Sequence, residues 1–255
     1  MTQWTAAALA GAAGLAAGAI NAVVGSGTLI TFPVLLSLGV PPVTANVTNT
    51  IGLVPGSFSG AWSYRHELTG QRGRLVRLGS GSVAGGVAGA LLLLVLPATV
   101  FKAAVPVLIA VALALVVAQP RLSRRLAVQE QPDPAAAHPV LLWSVVLLTG
   151  IYGGYFGAAQ GVLLVAALGT LLDTDLQRVN GIKNVLAGLV NAVAGMIFVT
   201  LANPDWTYVA IIAVSSALGG HLGGQVGRRL SPGLLRGVIV VVGVTALARF
   251  ILAGK

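Results

Sequence analysis

In this chain of 255 residues, 56% are hydrophobic and 8% are charged, and the run from 83 to 118 holds Lys102 as its only charge. That composition belongs to an integral membrane protein and excludes a soluble domain. The formal net charge of +9 would suggest nucleic acid in a soluble chain, but here the basic residues sit in short segments between apolar runs, where they set orientation and imply no nucleic-acid partner. With no cysteine, a disulfide framework, a thiolate metal site and a cysteine nucleophile are excluded.

The N-terminal stretch lacks the basic n-region of a signal peptide and reads as a first membrane helix over 4–24, small and glycine-rich, stopped by Gly25-Ser26-Gly27. A short apolar helix over 28–39 follows, ending at Gly39 before Pro41-Pro42. The patterning then predicts a full span over 43–64, the loop RHELTGQRGR, and spans over 75–96 and 98–118. The segment 119–138, with Arg121, Arg124, Arg125 and His138, is a polar linker. It divides the chain into a first membrane repeat (1–118), a cytoplasmic basic linker (119–138) and a second membrane repeat (139–255).

Beyond the linker the pattern recurs. A glycine-rich helix over 139–159 is broken at Gln160-Gly161, and a short helix over 162–172 precedes spans over 176–201, 206–227 and 233–252. One constant shift of the first half onto the second sets Gly27 on Gly161, Asn46 on Asn180 and Gly85-Gly86 on Gly219-Gly220, the mark of an internal duplication. The positive-inside rule places the loop with Arg65, Arg72, Arg74 and Arg77 in the cytoplasm, and it places the linker there independently. In the second half the bias flips: Asn203-Pro204-Asp205-Trp206 carries no basic residue, whereas the next turn carries Arg228, Arg229 and Arg236. The repeats are therefore expected to be inverted. Each must then cross an odd number of times, so the first helix and the short one after it form a hairpin. A short helix of about 12 residues covers about 18 Å at 1.5 Å per residue, short of the roughly 30 Å hydrocarbon core. The two breaks are accordingly expected near the midplane, lining a cavity, because irregular backbone is tolerated at that depth only inside protein or beside water.

Two breaks brought together by an axis in the membrane plane are the arrangement of a secondary transporter. Each short helix, starting at Thr28 or Val162, would turn its unpaired N–H groups and positive dipole end to the centre, where an anion binds readily. Ser26, Thr28 and Gln160 add side-chain donors. Asn46 and Asn49, and Asn180, Lys183 and Asn184, each share one helical face at the start of the next span. Lys183 is the sharpest signal, since a lysine at the helix centre in a membrane costs about 2.5 to 3.5 kcal/mol and needs a bound anion, a carboxylate or a proton relay to justify it. Its competing reading is a side chain that snorkels to the headgroups. Gly25, Gly27 and Gly161 have their own plain alternative as helix-packing devices, and the asparagines as interhelical glue. Asn21, Asn191, Ser57 and Ser59 read as packing or supporting residues. His221 reads either as a proton carrier or as a hydrogen-bonded structural histidine. Asp173 and Asp175 read as caps of the helix that follows. Gly25-Ser26-Gly27 lacks the strand-turn-helix setting of a hydrolase nucleophile, and no other enzyme signature is present.

GAINAVVGSGTLITFPVLLSLGVPPVTANVTNTIG in the first half and GGYFGAAQGVLLVAALGTLLDTDLQRVNGIKNVLAG in the second resemble the two signature regions of the TauE/SafE family of sulfite and sulfonate exporters. The likeness covers essentially the whole chain. It implies export of a small sulfur-containing anion, such as sulfite, thiosulfate or an organosulfonate, across the bacterial inner membrane. Gly25-Ser26-Gly27-Thr28 departs from the family's glycine run and Gln160 replaces a glycine, so the likeness points to a family and not to one ligand.

The expectation is thus an all-α polytopic membrane protein of two inverted repeats, each a glycine-broken helical hairpin plus three full transmembrane helices, without a cofactor or metal. Its function would be alternating-access transport around Gly25, Ser26, Gly27, Thr28, Asn46, Asn49, Gln160, Gly161, Asn180, Lys183 and Asn184. An uncoupled anion channel and a membrane scaffold or accessory subunit are the alternatives. A coupled proton or sodium ion and an oligomeric assembly are compatible with this reading, and the residues specify neither.

Overall fold

The computed structural model describes residues 2–128, 139–172, 175–226 and 232–253 and is helical throughout, with no strand among the described residues. In chain order the helices are α1 (Gln3–Val23), α2 (Thr28–Ser37), α3 (Pro42–Gly52), α4 (Val54–Ser63), α5 (Arg72–Val95), α6 (Ala98–Val128), α7 (Pro139–Tyr155), α8 (Gln160–Leu171), α9 (Leu176–Leu201), α10 (Trp206–Val226) and α11 (Pro232–Ala253). Five of them, α1, α5, α6 as far as Arg121, α9 and α10 as far as Gln225, are long and apolar enough to cross a membrane. Asp173, the Arg228-Arg229 pair, Ser231 and His138 lie outside the described residues.

Polarity is arranged as a bilayer demands. Many large apolar side chains are exposed, among them Leu148, Met196, Val214 and Val241, while Asn46, Thr48, Asn49, Ser57, Lys183 and Ser216 are buried. Trp4, Trp62 and Trp206 are exposed at helix ends, the positions an interfacial aromatic belt takes. The chain is a multi-pass membrane protein.

Because lipid is as apolar as leucine, the helices are held by close packing of small residues rather than by hydrophobic exclusion. α1 packs most extensively on α10, and α7 on α5. In the first pair a Cβ on Gly18 would overlap the backbone of Ser216, and one on Gly219 would overlap that of Leu15. In the second, Gly85 and Gly89 lie against the backbone of Leu147 and Ile151. α10 also receives α4, with Gly220 against Gly56 and Gly224 against Ser63. The Gly-x-x-x-Gly spacing of Gly14 and Gly18 serves the α1/α10 contact, and that of Gly220 and Gly224 the α4/α10 contact.

The structure departs from the sequence reading at three points. The expected single span over 43–64 is two helices, α3 and α4, meeting at Leu53. Pro55 lies in the first turn of α4, and a proline inside a helix has no N–H and crowds the carbonyl four residues back, so the helix breaks just before it. The second break lies at 156–159 rather than at Gln160-Gly161, and those two residues form the first turn of α8. Gly157 (φ +77°) and Ala159 (φ +59°) make the reversal in left-handed backbone, which a glycine accepts freely and an alanine seldom. Finally, α6 continues past its apolar part to Val128, with Pro106 and Pro120 inside it.

Candidate functional site

α1 and α7 end alike. The N–H groups of Val24 and Gly25 both donate to Ile20 O, at 2.7 and 3.0 Å, and those of Phe156 and Gly157 both donate to Tyr152 O, at 2.9 and 3.1 Å. The bonds that start the next helix also repeat: Ile30 and Thr31 donate to Gly27 O, and Val162 and Leu163 to Ala159 O. The offset that relates these pairs is slightly shorter than the one that sets Asn46 on Asn180, and the difference is taken up by α8, which has 12 residues to the 10 of α2. Gly27 thus stands where Ala159 stands, and the sequence alignment of Gly27 on Gly161 is out by the same small amount.

The first break touches the first turn of α8, just beyond the second break. Gly161 N donates to Gly25 O at 3.0 Å, and a Cβ on either glycine would overlap the backbone of the other. Gly25 has φ +85°, so it is glycine for two reasons at once. Gly27 serves a different contact, since its Cβ would meet the backbone of Ala17 inside the α1–α2 hairpin.

Around this contact the halves cap each other's helices. From α9, Lys183 Nζ donates to Asn21 O and Ala22 O, both at 3.1 Å, and Asn184 Nδ2 donates to Ala22 O at 3.2 Å. These carbonyls are the orphan acceptors at the C-terminal end of α1, where a cation is favoured by the helix dipole. From α3, Asn46 Nδ2 donates to Tyr155 O at 2.9 Å, at the end of α7. Asn21 Oδ1 accepts from Gly27 N at 3.2 Å, which carries the Lys183 cap through to the start of α2. Asn49 Nδ2 donates to Thr28 Oγ1 at 3.2 Å, and Thr31 Oγ1 donates to Asn49 Oδ1. Lys183 is 1% exposed, so it does not snorkel, and no carboxylate among the described residues lies within ion-pairing distance of it.

Helix ends contribute less than expected. At α8 the N–H groups of Gln160 and Val162 are taken by Gly157 O and Ala159 O, and that of Gly161 by Gly25 O, so they do not point unpaired into a cavity. What the centre does offer is side-chain polarity without partners. Ser26 Oγ, Asn46 Oδ1 and Gln160 Nε2 are buried and make no hydrogen bond, and neither does Asn180 Oδ1, one turn before Asn184 on α9. Gln160 is held by α7, where a Cβ on Gly153 would overlap its amide. Phe156 packs edge-on against Phe32 at 5.2 Å, fixing the second break on α2.

The structure thus gathers Gly25, Ser26, Gly27, Thr28, Asn46, Asn49, Gln160, Gly161, Lys183 and Asn184 around one contact, with Asn180 one helical turn before Asn184. It leaves His221 out: that side chain is exposed on α10, with Nε2 2.9 Å from Gln225 Nε2 one turn on. Asn191 and Ser57 tie α9 to α4, Ser59 ties α4 to Ala217 O on α10, and Asp175 caps α9 by accepting from Gln177 N and Arg178 N. Sequence reasoning missed Thr31, although its spacing of three from Thr28 was a usable signal, whereas Asn21 has the supporting place expected of it. The left-handed Ala159 left no such trace. A groove of about 830 Å³ opens between the start of α1, the end of α2 and the start of α10, lined by Trp4, Gly39, Asp205 and Tyr208 among others. None of the gathered residues lines it.

Comparison with known proteins agrees with this architecture. The chain is 26% identical over 235 residues to a probable membrane transporter protein of a Sinorhizobium species, covering 92% of this chain and 88% of that one. It is 24% identical over 240 residues to a probable membrane transporter protein of Haemophilus influenzae, covering 93% and 91%, and 24% identical over 236 residues to the probable membrane transporter protein YfcA of Escherichia coli K12, covering 92% and 86%. No solved structure matches. The family model described as sulfite exporter TauE/SafE matches residues 10–250, nearly the whole chain, and the protein therefore belongs to the TauE/SafE family.

Proposed function

We propose that this membrane transporter is a secondary exporter of a small sulfur-containing anion, such as sulfite, thiosulfate or an organosulfonate, in the inner membrane, working by alternating access of two inverted repeats around the contact of the first break with the start of α8. The observation that carries the reading is the Gly161 N to Gly25 O bond, ringed by buried polar side chains and one buried lysine that has no carboxylate partner among the described residues. A cation held at that depth with no anion beside it attracts a small anion. The groups that would meet it are Lys183, Ser26 and Gln160, with Asn49 and Thr28 holding the start of α2 in place. The inverted repeat is supported by the matched pairing of α1 with α10 and α7 with α5, and by the capping bonds of the first break that recur at the second.

Counterflow in proteoliposomes tests the function. Unlabelled sulfite or thiosulfate inside should accelerate uptake of the labelled anion. Flux without such trans-stimulation would identify a channel, and no flux at all would return the chain to a scaffold or accessory role.

The orientation has its own test in this cysteine-free chain. Cysteines introduced at 123 and 231 should react with a membrane-impermeant reagent only from the cytoplasmic side, and one at 203 only from outside. If 203 and 231 react from one side, the repeats are not inverted.

A further inference from the structure

We propose that the central site takes an anion that also carries its own hydrogen-bond donor, such as a hydroxyl-bearing sulfonate or a singly protonated oxyanion, and that Asn46 is the acceptor that reads it. The proposal rests on the central anion site inferred above and narrows what that site accepts.

The orientation of Asn46 is set by its bonds. Its Nδ2 donates to Tyr155 O at 2.9 Å, and flipping the amide would set two acceptors against each other, so Oδ1 is the atom left unpartnered. Asn46 is fully buried, so this oxygen has no access to solvent. A buried acceptor that meets no donor is costly, and such atoms in a native site call for an explanation. A fully deprotonated oxyanion offers acceptors only. It would suit Lys183, but it would leave the Asn46 oxygen facing further negative charge. A ligand with an anionic end and an O–H or N–H satisfies both kinds of group. A site built to hydrogen-bond a ligand hydroxyl also discriminates strongly against the analogue lacking it, because its own polar groups are then stranded.

The test compares 2-hydroxyethanesulfonate with propane-1-sulfonate, which replaces the hydroxyl by a methyl group, by calorimetry on the purified full-length protein at fixed pH and salt. The hydroxylated ligand should bind at least tenfold more tightly to the parent. Asn46→Ala should reduce that ratio towards one. The ratio in the parent does not depend on whether the variant folds. Equal binding of the two sulfonates, or tighter binding of the propyl compound, overturns this inference and leaves the anion site standing. Binding of neither overturns the anion site and this inference with it.

Discussion

Gly161→Ala is expected to abolish transport, with at least a hundredfold loss of initial rate in proteoliposomes, while a folded fraction persists in detergent. The added Cβ would fall on the backbone of Gly25, which cannot move aside as a flexible side chain can, so the first break and the start of α8 must separate and the Gly161 N to Gly25 O bond is lost. Overpacking of this kind costs about 1 to 3 kcal/mol, which a membrane bundle held at many small-residue contacts can survive. Gly25→Ala should be worse, since it meets the same overlap and also places an alanine at φ +85°, a further cost of about 1 to 2 kcal/mol. Gly73→Ala is the control: Gly73 lies in α5 with open space around it, and the variant should transport like the parent. Transport rate and thermal stability measured on the same preparations decide the matter. If Gly161→Ala loses activity only in proportion to folded protein, Gly161 is a packing residue with no special part in the site.

Lys183→Met should weaken anion binding by on the order of a hundredfold, equivalent to a few kcal/mol for truncating one partner of a desolvated charge interaction. It should also lower stability without ligand, because the carbonyl of Asn21 loses its cap and that of Ala22 keeps only Asn184. Hydrogen bonds to a charged group are worth about 1.5 to 3 kcal/mol each. Lys183→Arg keeps the charge in a planar fork and should fall between the two. The two roles of the lysine separate in one experiment: adding 2-hydroxyethanesulfonate should raise the melting temperature of the parent and fail to raise that of Lys183→Met. A variant that is less stable yet binds the anion like the parent would make Lys183 a helix cap only and remove the charge from the proposed site.

Much of this was legible in the chain. Spans such as α5, α9 and α10 follow from apolar length, which a bilayer reads almost without regard to context. Gly25-Ser26-Gly27 announced a break, and Asn46, Asn49, Asn180, Lys183 and Asn184 declared themselves because polar residues are rare and costly at such positions. Local spacing was enough for these because one helix face is set by residues three and four apart. The break in the second half was misplaced by a few positions because glycine is a weak marker. Gly161 looked like a hinge and is helical, required by the backbone of Gly25 in the other half of the chain, while the reversal itself is made in part by Ala159, which no propensity would select.

The residues alone specify the long apolar spans α1, α5, α9 and α10, the polar residues that a membrane would not tolerate without a use, and the family to which the chain belongs. Which partner each of those residues has follows only from the packed fold. The fold turns Lys183 from an unpaired charge into the cap of α1, spends the N–H groups at the start of α8 within the protein, and leaves Ser26 Oγ, Asn46 Oδ1 and Gln160 Nε2 buried without partners around the contact. The reason is physical: cost is a property of a residue and its depth, and can be read locally, whereas satisfaction depends on atoms that arrive from the other half of the chain.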